Sequence, residues 1–161
     1  MTLNTKTPTD SRVEMTEMVL PQHTNALGTV FGGVVLSWID IAASICAQRH
    51  SERSVVTASF DAMHFLAPIK LGWIANIKAM INYTSKTSCE VGVRICGENP
   101  MSREIHHTAS AYVTMVSLDS NGRPIAMPGI NPETEEEKQR FQEAIARREA
   151  RLAMKKNIRR R

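Results

Sequence analysis

A chain of 161 residues that is 42% hydrophobic and 22% charged has the make-up of a single globular domain, which excludes a disordered or collagen-like chain. Its three cysteines, Cys46, Cys89 and Cys96, form no CxxC pair and read as reduced, buried thiols of a cytoplasmic protein, and no apolar segment follows a basic start as in a secretory signal. The formal charge of +4 is local, because ten Lys/Arg and six Asp/Glu follow from Glu133 onward while the residues before it hold ten of each. The closing run KKNIRRR reads as a solvated helix end rather than a nucleic-acid or membrane element.

Residues 1–11 are polar and aperiodic and are expected to be a mobile arm ahead of a domain over 12–132. Arg12–Leu20 reads as a first strand stopped by Pro21. A polar loop with His23, Asn25 and Gly28 then leads through Gly32–Gly33 into Val34–Ala47, VVLSWIDIAASICA. This segment is apolar around every side of a helical wheel, and it is too short for a bilayer. It is expected to be a helix wrapped by the rest of the fold. Asp40 is the one charge within it, and a carboxylate in such a place requires a hydrogen-bonding or ionic partner.

Four strand-like runs follow. Val55–Phe65 is β-rich; Trp73, Ala75, Ile77, Ala79, Ile81 and Tyr83 alternate at period two, as do Cys89, Val91, Val93 and Ile95; Ile105–Leu118 is a further run closed by the turn Asp119–Gly122. One buried helix followed by consecutive strands with short connections implies an α+β domain, an antiparallel sheet wrapped around a central helix. Residues 133–161 read as a peripheral C-terminal helix, acidic at its start and basic at its end, with a thin apolar stripe of Phe141, Ala144, Ile145 and Leu152.

The motifs occur in a characteristic order. His23-Thr24-Asn25-Ala26-Leu27-Gly28, Phe31-Gly32-Gly33, Trp38-Ile39-Asp40, Val56-Thr57-Ala58-Ser59, Phe65-Leu66-Ala67-Pro68-Ile69 and Lys86-Thr87-Ser88-Cys89-Glu90-Val91 span roughly 13–128. Together they resemble the hotdog-fold acyl-CoA thioesterases, and more narrowly their cytosolic acyl-CoA hydrolase branch. The sequence departs from that pattern at Trp73 and Cys89. The resemblance implies hydrolysis of acyl-CoA to free acid and CoA, with CoA entering as substrate and no other cofactor. It implies a homo-oligomer, a dimer assembled further into a hexamer. It also implies Asp40 as the catalytic acid group, paired with Asn25 of another subunit.

Thioester hydrolysis needs a group that attacks or activates water, and donors for the oxygen that becomes negative. Asp40 can supply the first as general base or as nucleophile, and the sequence leaves both routes open. Free amides in the first turn of the helix can supply the second, which nominates Gly33 and Val34, with Gly32 giving close backbone approach. Asn25 can hold a water or the thioester carbonyl, or it can build an Asx turn. For the CoA portion, Lys86 and Arg94 are candidates for the phosphates, beside Thr87 and Ser88, with Thr57 and Ser59 along the pantetheine arm. Trp38, Phe60, Met63 and Phe65 could line an acyl slot.

Other chemistries lack their signatures. GxxxxGK[ST], GxGxxG, HExxH and GxSxG are all absent, and adjacent His106 and His107 would face opposite sides of a strand, so no metal site is expected. Asn82-Tyr83-Thr84 matches a glycosylation sequon and is expected to be silent in a protein without a signal. Two rivals remain: a non-catalytic acyl-CoA-binding regulator on the same fold, and a dehydratase using His23 or His64 beside the acid.

Overall fold

The computed structural model describes residues 4–158, with the side chains of all but 62 and 156–158. The first three residues of the expected arm and most of the basic run at the C-terminus lie outside the described residues or side chains. Five strands form one antiparallel sheet: β1 (Val13–Met18), β2 (Ser54–Phe65), β3 (Ile74–Thr84), β4 (Ser88–Glu98) and β5 (Ile105–Leu118), in the spatial order β1-β3-β4-β5-β2. Helix α1 (Gly32–Ser51) connects β1 to β2 and crosses the inner face, and α2 (Glu135–Ile158) packs on the outer face.

The period-two residues explain this arrangement. Ala75, Ile77, Ala79 and Ile81 of β3, Cys89, Val91, Val93 and Ile95 of β4, and Ala109, Ala111, Val113 and Met115 of β5 all point inward and are buried. They meet Val35, Trp38, Ile39, Ala42, Ala43, Cys46 and Ala47 of α1. Alanine on both sides of the contact lets the helix axis lie close to the sheet.

The helix is not enclosed on every side, however. Leu36 and Ile41 of the helix are exposed, the latter by 45%, as is Phe31 at its start. Val56 and Phe60 are exposed on β2, one of the two edge strands of the sheet. The sequence is apolar around the whole wheel, yet this chain covers only part of it.

The outer face is polar and docks α2 largely through charge. The Arg147 guanidinium binds both oxygens of the buried Glu90 carboxylate, at 2.8–3.2 Å, and lies 3.6 Å from the Tyr112 ring centroid. Arg151 pairs with Asp61 of β2. Of the expected apolar stripe, Ala144 is buried and Phe141 meets Tyr83, with ring centroids 5.2 Å apart, but Leu152 stays exposed.

The expected arm over 1–11 is tied down from Lys6 onward. Lys6 bridges to the segment around Ile130 through backbone hydrogen bonds to Gly129 and Asn131, and its ammonium contacts Glu52 at 2.6 Å. Asp10 and Thr7 close a short 3-10 turn over Pro8–Ser11, in which Pro8 and Ser11 are buried. Polarity and lack of period conceal such a segment, because its order comes from capping and one bridge rather than from an apolar face.

His50, at the end of α1, is fully buried, with Nε2 3.1 Å from the Pro128 carbonyl oxygen and Nδ1 without a partner among the described residues. Burial outweighs the hydrogen bond to Pro128 and lowers its pKa below the ordinary value of 6.5. Its stabilising contribution is therefore complete above about pH 6.5 and is lost as pH falls through the lower folded-state value. Urea unfolding at several pH values should show wild type losing stability below pH 6.5 relative to His50→Asn, whose side chain does not titrate. Parallel curves for the two proteins would contradict this.

Candidate active site

After β1 the chain forms a 3-10 turn over Pro21–His23, which His23 holds by accepting the Leu20 amide on Nδ1 at 3.2 Å. Asn25 organises the next loop. Its Oδ1 accepts the amides of Leu27 (2.9 Å) and Thr29 (3.3 Å), and its Nδ2 donates to Thr29 Oγ1 at 3.1 Å. Gly28 sits in this loop at φ 72°, the left-handed region. Asn25 is thus an Asx-turn anchor within its own chain, exposed, with one of its two Nδ2 hydrogens unassigned. It makes no hydrogen bond to Asp40.

The loop pairs with residues 69–71 (Val30 amide to Ile69 carbonyl, 2.8 Å; Leu71 amide to Gly28 carbonyl, 3.0 Å), which fixes the entry into α1. At that entry the Phe31 carbonyl accepts both the Val34 amide (2.9 Å) and the Val35 amide (3.3 Å). Val34 is therefore not a free donor, which corrects the expectation for that residue. The amides without an acceptor among the described residues are those of Gly32 and Gly33. A Cβ added at Gly33 would stand 2.8 Å from the Phe31 ring, and one at Gly32 would stand 3.4 Å from Phe65. Glycine at both positions keeps the helix end open between two aromatic walls. A cleft of about 380 Å³ lies beside it, lined by Thr29, Val30, Gly32, Phe65, Leu66 and Pro68 among others. Of the four expected acyl-slot residues, only Phe65 lines this cleft; Trp38 is buried against His23.

Asp40 lies two turns further along α1, half-buried on the flank toward β2. The Thr57 hydroxyl donates to its Oδ1 at 2.5 Å, and Oδ2 has no partner among the described residues. Thr57 faces inward beside Met115. A register shift then separates Thr57 from Ser59, which pairs with outward-facing Thr114. Ser59 therefore sits on the other face of the sheet from Asp40, with its Oγ buried and unpaired.

The remaining candidates also stand apart from Asp40. Arg94 is on the outer face, opposite Lys78 on β3 and Ser110 on β5. Lys86, Thr87 and Ser88 form the β3–β4 turn, at the end of the sheet away from Gly32. His64 pairs with Ser110 on the outer face. Within one chain neither His64 nor His23 reaches Asp40. Within the described residues no group of three or more His, Cys, Asp or Glu side chains could hold a metal ion, and no helix is long and apolar enough to cross a membrane.

One distance constrains the chemistry. Gly33 and Asp40 are seven residues apart on one helix, which places them on the same side but about 10 Å apart along the axis. An oxyanion donor must lie within about 3 Å of the carbonyl oxygen, whereas a base acts on the reacting centre directly or through one water.

A thioesterase-superfamily profile matches residues 27–103. The chain is 38% identical over 148 residues to the uncharacterized acyl-CoA thioester hydrolase YkhA of Bacillus subtilis, covering 92% of this chain and 86% of that protein. It superposes on an apo-hexameric acyl-CoA thioesterase with a TM-score of 0.90 at 38% identity, covering 93% of this chain and 97% of the other. It superposes equally well on an acyl-CoA hydrolase of Staphylococcus aureus in complex with butyryl-CoA, CoA and CoA disulfide (TM-score 0.91, 36% identity, 97% and 95% covered). The chain belongs to the thioesterase superfamily, with the hotdog fold. The solved S. aureus structures include alanine variants of an asparagine, an aspartate and a threonine, at 35–36% identity and TM-scores of 0.83–0.91. The intervals between those three residues equal those between Asn25, Asp40 and Thr57 here.

The sequence reading put Thr57 along the substrate, whereas the structure joins its hydroxyl to the carboxylate. A hydrogen bond to a charged group contributes about 1.5–3 kcal/mol, and here it fixes which oxygen of Asp40 is left open. Thr57→Val should lower kcat by roughly 10- to 100-fold on that scale with little change in KM, and Thr57→Ser should recover most of it. An unchanged kcat in the valine variant would remove Thr57 from the positioning of Asp40.

Proposed function

We propose that this protein hydrolyses acyl-CoA thioesters to free acid and CoA, and that each active site is shared between two copies of the chain. The observation that carries the reading is the Asp40 carboxylate, held through one oxygen by Thr57 and open at the other, about 10 Å along α1 from the unpaired amides of Gly32 and Gly33. The relatives named as acyl-CoA thioester hydrolases, and the CoA complex of one of them, support the reaction class.

In one route Oδ2 of Asp40 takes a proton from water as the oxygen adds to the thioester carbonyl. In the other Oδ2 itself attacks, and water then hydrolyses the resulting anhydride. Both routes pass through a tetrahedral centre with a negative oxygen whose collapse breaks the C–S bond and releases CoA thiolate to be protonated; in the second route this step forms the anhydride, and its later hydrolysis releases the acid and restores Asp40. The amides of Gly32 and Gly33 of the second copy stabilise that oxygen, aided by the positive end of the helix dipole. The remaining Nδ2 hydrogen of Asn25 of that copy orients the water or the carbonyl. The cleft beside Phe65 accepts the acyl or pantetheine arm. Neither route requires a metal or a further cofactor.

The second copy is expected against the open flank of α1 and the free edge of β2, where Phe31, Leu36, Ile41, Val56 and Phe60 expose apolar surface. Further assembly of dimers into a hexamer follows the hexameric relative. Cytoplasmic placement accords with three free cysteines. Nucleic acid and membrane insertion play no part in this reading.

Thiol release from an acyl-CoA should fall by at least about 100-fold in Asp40→Asn, within the usual range for loss of a general base. An undiminished rate would remove Asp40 from the chemistry. Tight acyl-CoA binding by wild type without thiol release would instead identify a regulator.

A further inference from the structure

The uncovered side of α1 is a single stripe. Gly33, Leu36, Ser37, Asp40 and Ile41 recur at helical spacing and are exposed or half-buried, whereas Val35, Trp38, Ile39, Ala42 and Ala43 behind them are buried. Leu36 stands in the middle of the stripe and is 37% exposed. It follows Gly33 by three residues and precedes Asp40 by four, so its side chain lies between the free amides and the carboxylate on one side of the helix. The core that α1 packs against is on the other side.

A shared site fixes where this leucine sits between two copies. A two-fold axis passes through the midpoint between any atom and its image in the other copy. When Asp40 of one copy meets the image of Gly33, the midpoint between Gly33 and Asp40 within each chain lies close to that axis. That midpoint falls at Leu36 and Ser37. The leucines of the two copies therefore face one another across the axis, with a reaction centre about 5 Å away on either side along the helix.

A thioester at either centre has two arms and two exits. One exit leads outward past Gly32 into the cleft of about 380 Å³ beside Phe65, Leu66 and Pro68. The other leads inward along α1 to Leu36. The CoA arm ends in a nucleotide too bulky for a seam where two helices meet, so it takes the outward exit and the acyl group points inward.

We infer that Leu36 determines acyl-length specificity: the two leucines close the inner end of each site and restrict the substrate to short acyl groups. An extended chain advances roughly 1.2 Å per bond, a third of the residue repeat of an extended backbone. The distance of about 5 Å to the axis then admits about four carbons. A longer acyl group has to displace the leucine or run into the neighbouring site. This inference rests on the proposed shared hydrolase site and adds the substrate class to it.

Thiol release from acetyl-, butyryl- and octanoyl-CoA tests the limit. Wild type should show a higher kcat/KM for butyryl-CoA than for octanoyl-CoA. Leu36→Ala should raise the octanoyl-to-acetyl ratio of kcat/KM by at least about tenfold, and Leu36→Trp should lower the butyryl-to-acetyl ratio by a similar factor. The same ratios in all three proteins, or a wild-type preference for octanoyl-CoA, would overturn Leu36 as the limit. Its place at the axis has a separate readout that needs no activity. Cys46 and Cys89 are buried, so in a Cys96→Ser background Leu36→Cys should join two copies through a disulfide on mild oxidation, whereas Cys96→Ser alone should not. Absence of the cross-link would overturn the placement. A protein that cross-links in this way while wild type releases no thiol from any of the three substrates would overturn the hydrolase reading, and the acyl limit with it, but not the pairing of the two leucines.

Discussion

The fixed rise of an α-helix governs this structure. Asp40 and the free amides of Gly32 and Gly33 sit on one rigid rod, about 10 Å apart along its axis. In the proposed reading each copy carries two halves of a reaction centre that a partner copy brings together. A two-fold relation between copies does this, because it can set the start of one helix beside the middle of another. The apolar flank of α1 and the unpaired edge of β2 lie where such a partner would sit.

Much of the fold was legible in the residue pattern. The alternation in β3, β4 and β5 assigned their inner faces, and the one buried helix between β1 and four further strands set the topology. Asp40 stood out because burying an unpaired carboxylate is costly. What the pattern could not convey is geometry that depends on single backbone states. The register shift after Thr57 sends Ser59 to the other side of the sheet, and nothing in Thr-Ala-Ser announces a bulge. The Val34 amide is taken by the Phe31 carbonyl, which follows from how the chain enters the helix. Arg94 was nominated for its charge, but its strand parity places it away from Asp40, and that parity could have been read from Val93 and Ile95.

The helix that was expected to be buried all round illustrates a different limit. A sequence records every surface that a residue meets in the assembled protein, whereas one chain displays only its own contacts. In the proposed dimer Leu36 and Ile41 are interface residues, and an interface has the same chemistry as a core. Conversely, α2 shows a thin apolar stripe because charge does much of its docking: Arg147 on buried Glu90, and Arg151 on Asp61. The same outer face also holds the cross-strand Lys78–Arg94 pair, so the two sides of the sheet are specialised differently, one for apolar packing and thioester chemistry, the other for charge.

The central claim is that each site is completed by a second subunit, and mixed oligomers test it directly. Asp40→Asn and Asn25→Ala proteins, each inactive alone, are dissociated together and reassembled, and thiol release is compared with wild type. Random pairing makes half of the dimers mixed, each with one intact site of two, so about a quarter of wild-type activity should return. A mixture no more active than its inactive parents would show that Asn25 and Asp40 serve the same chain, and the shared site would be wrong.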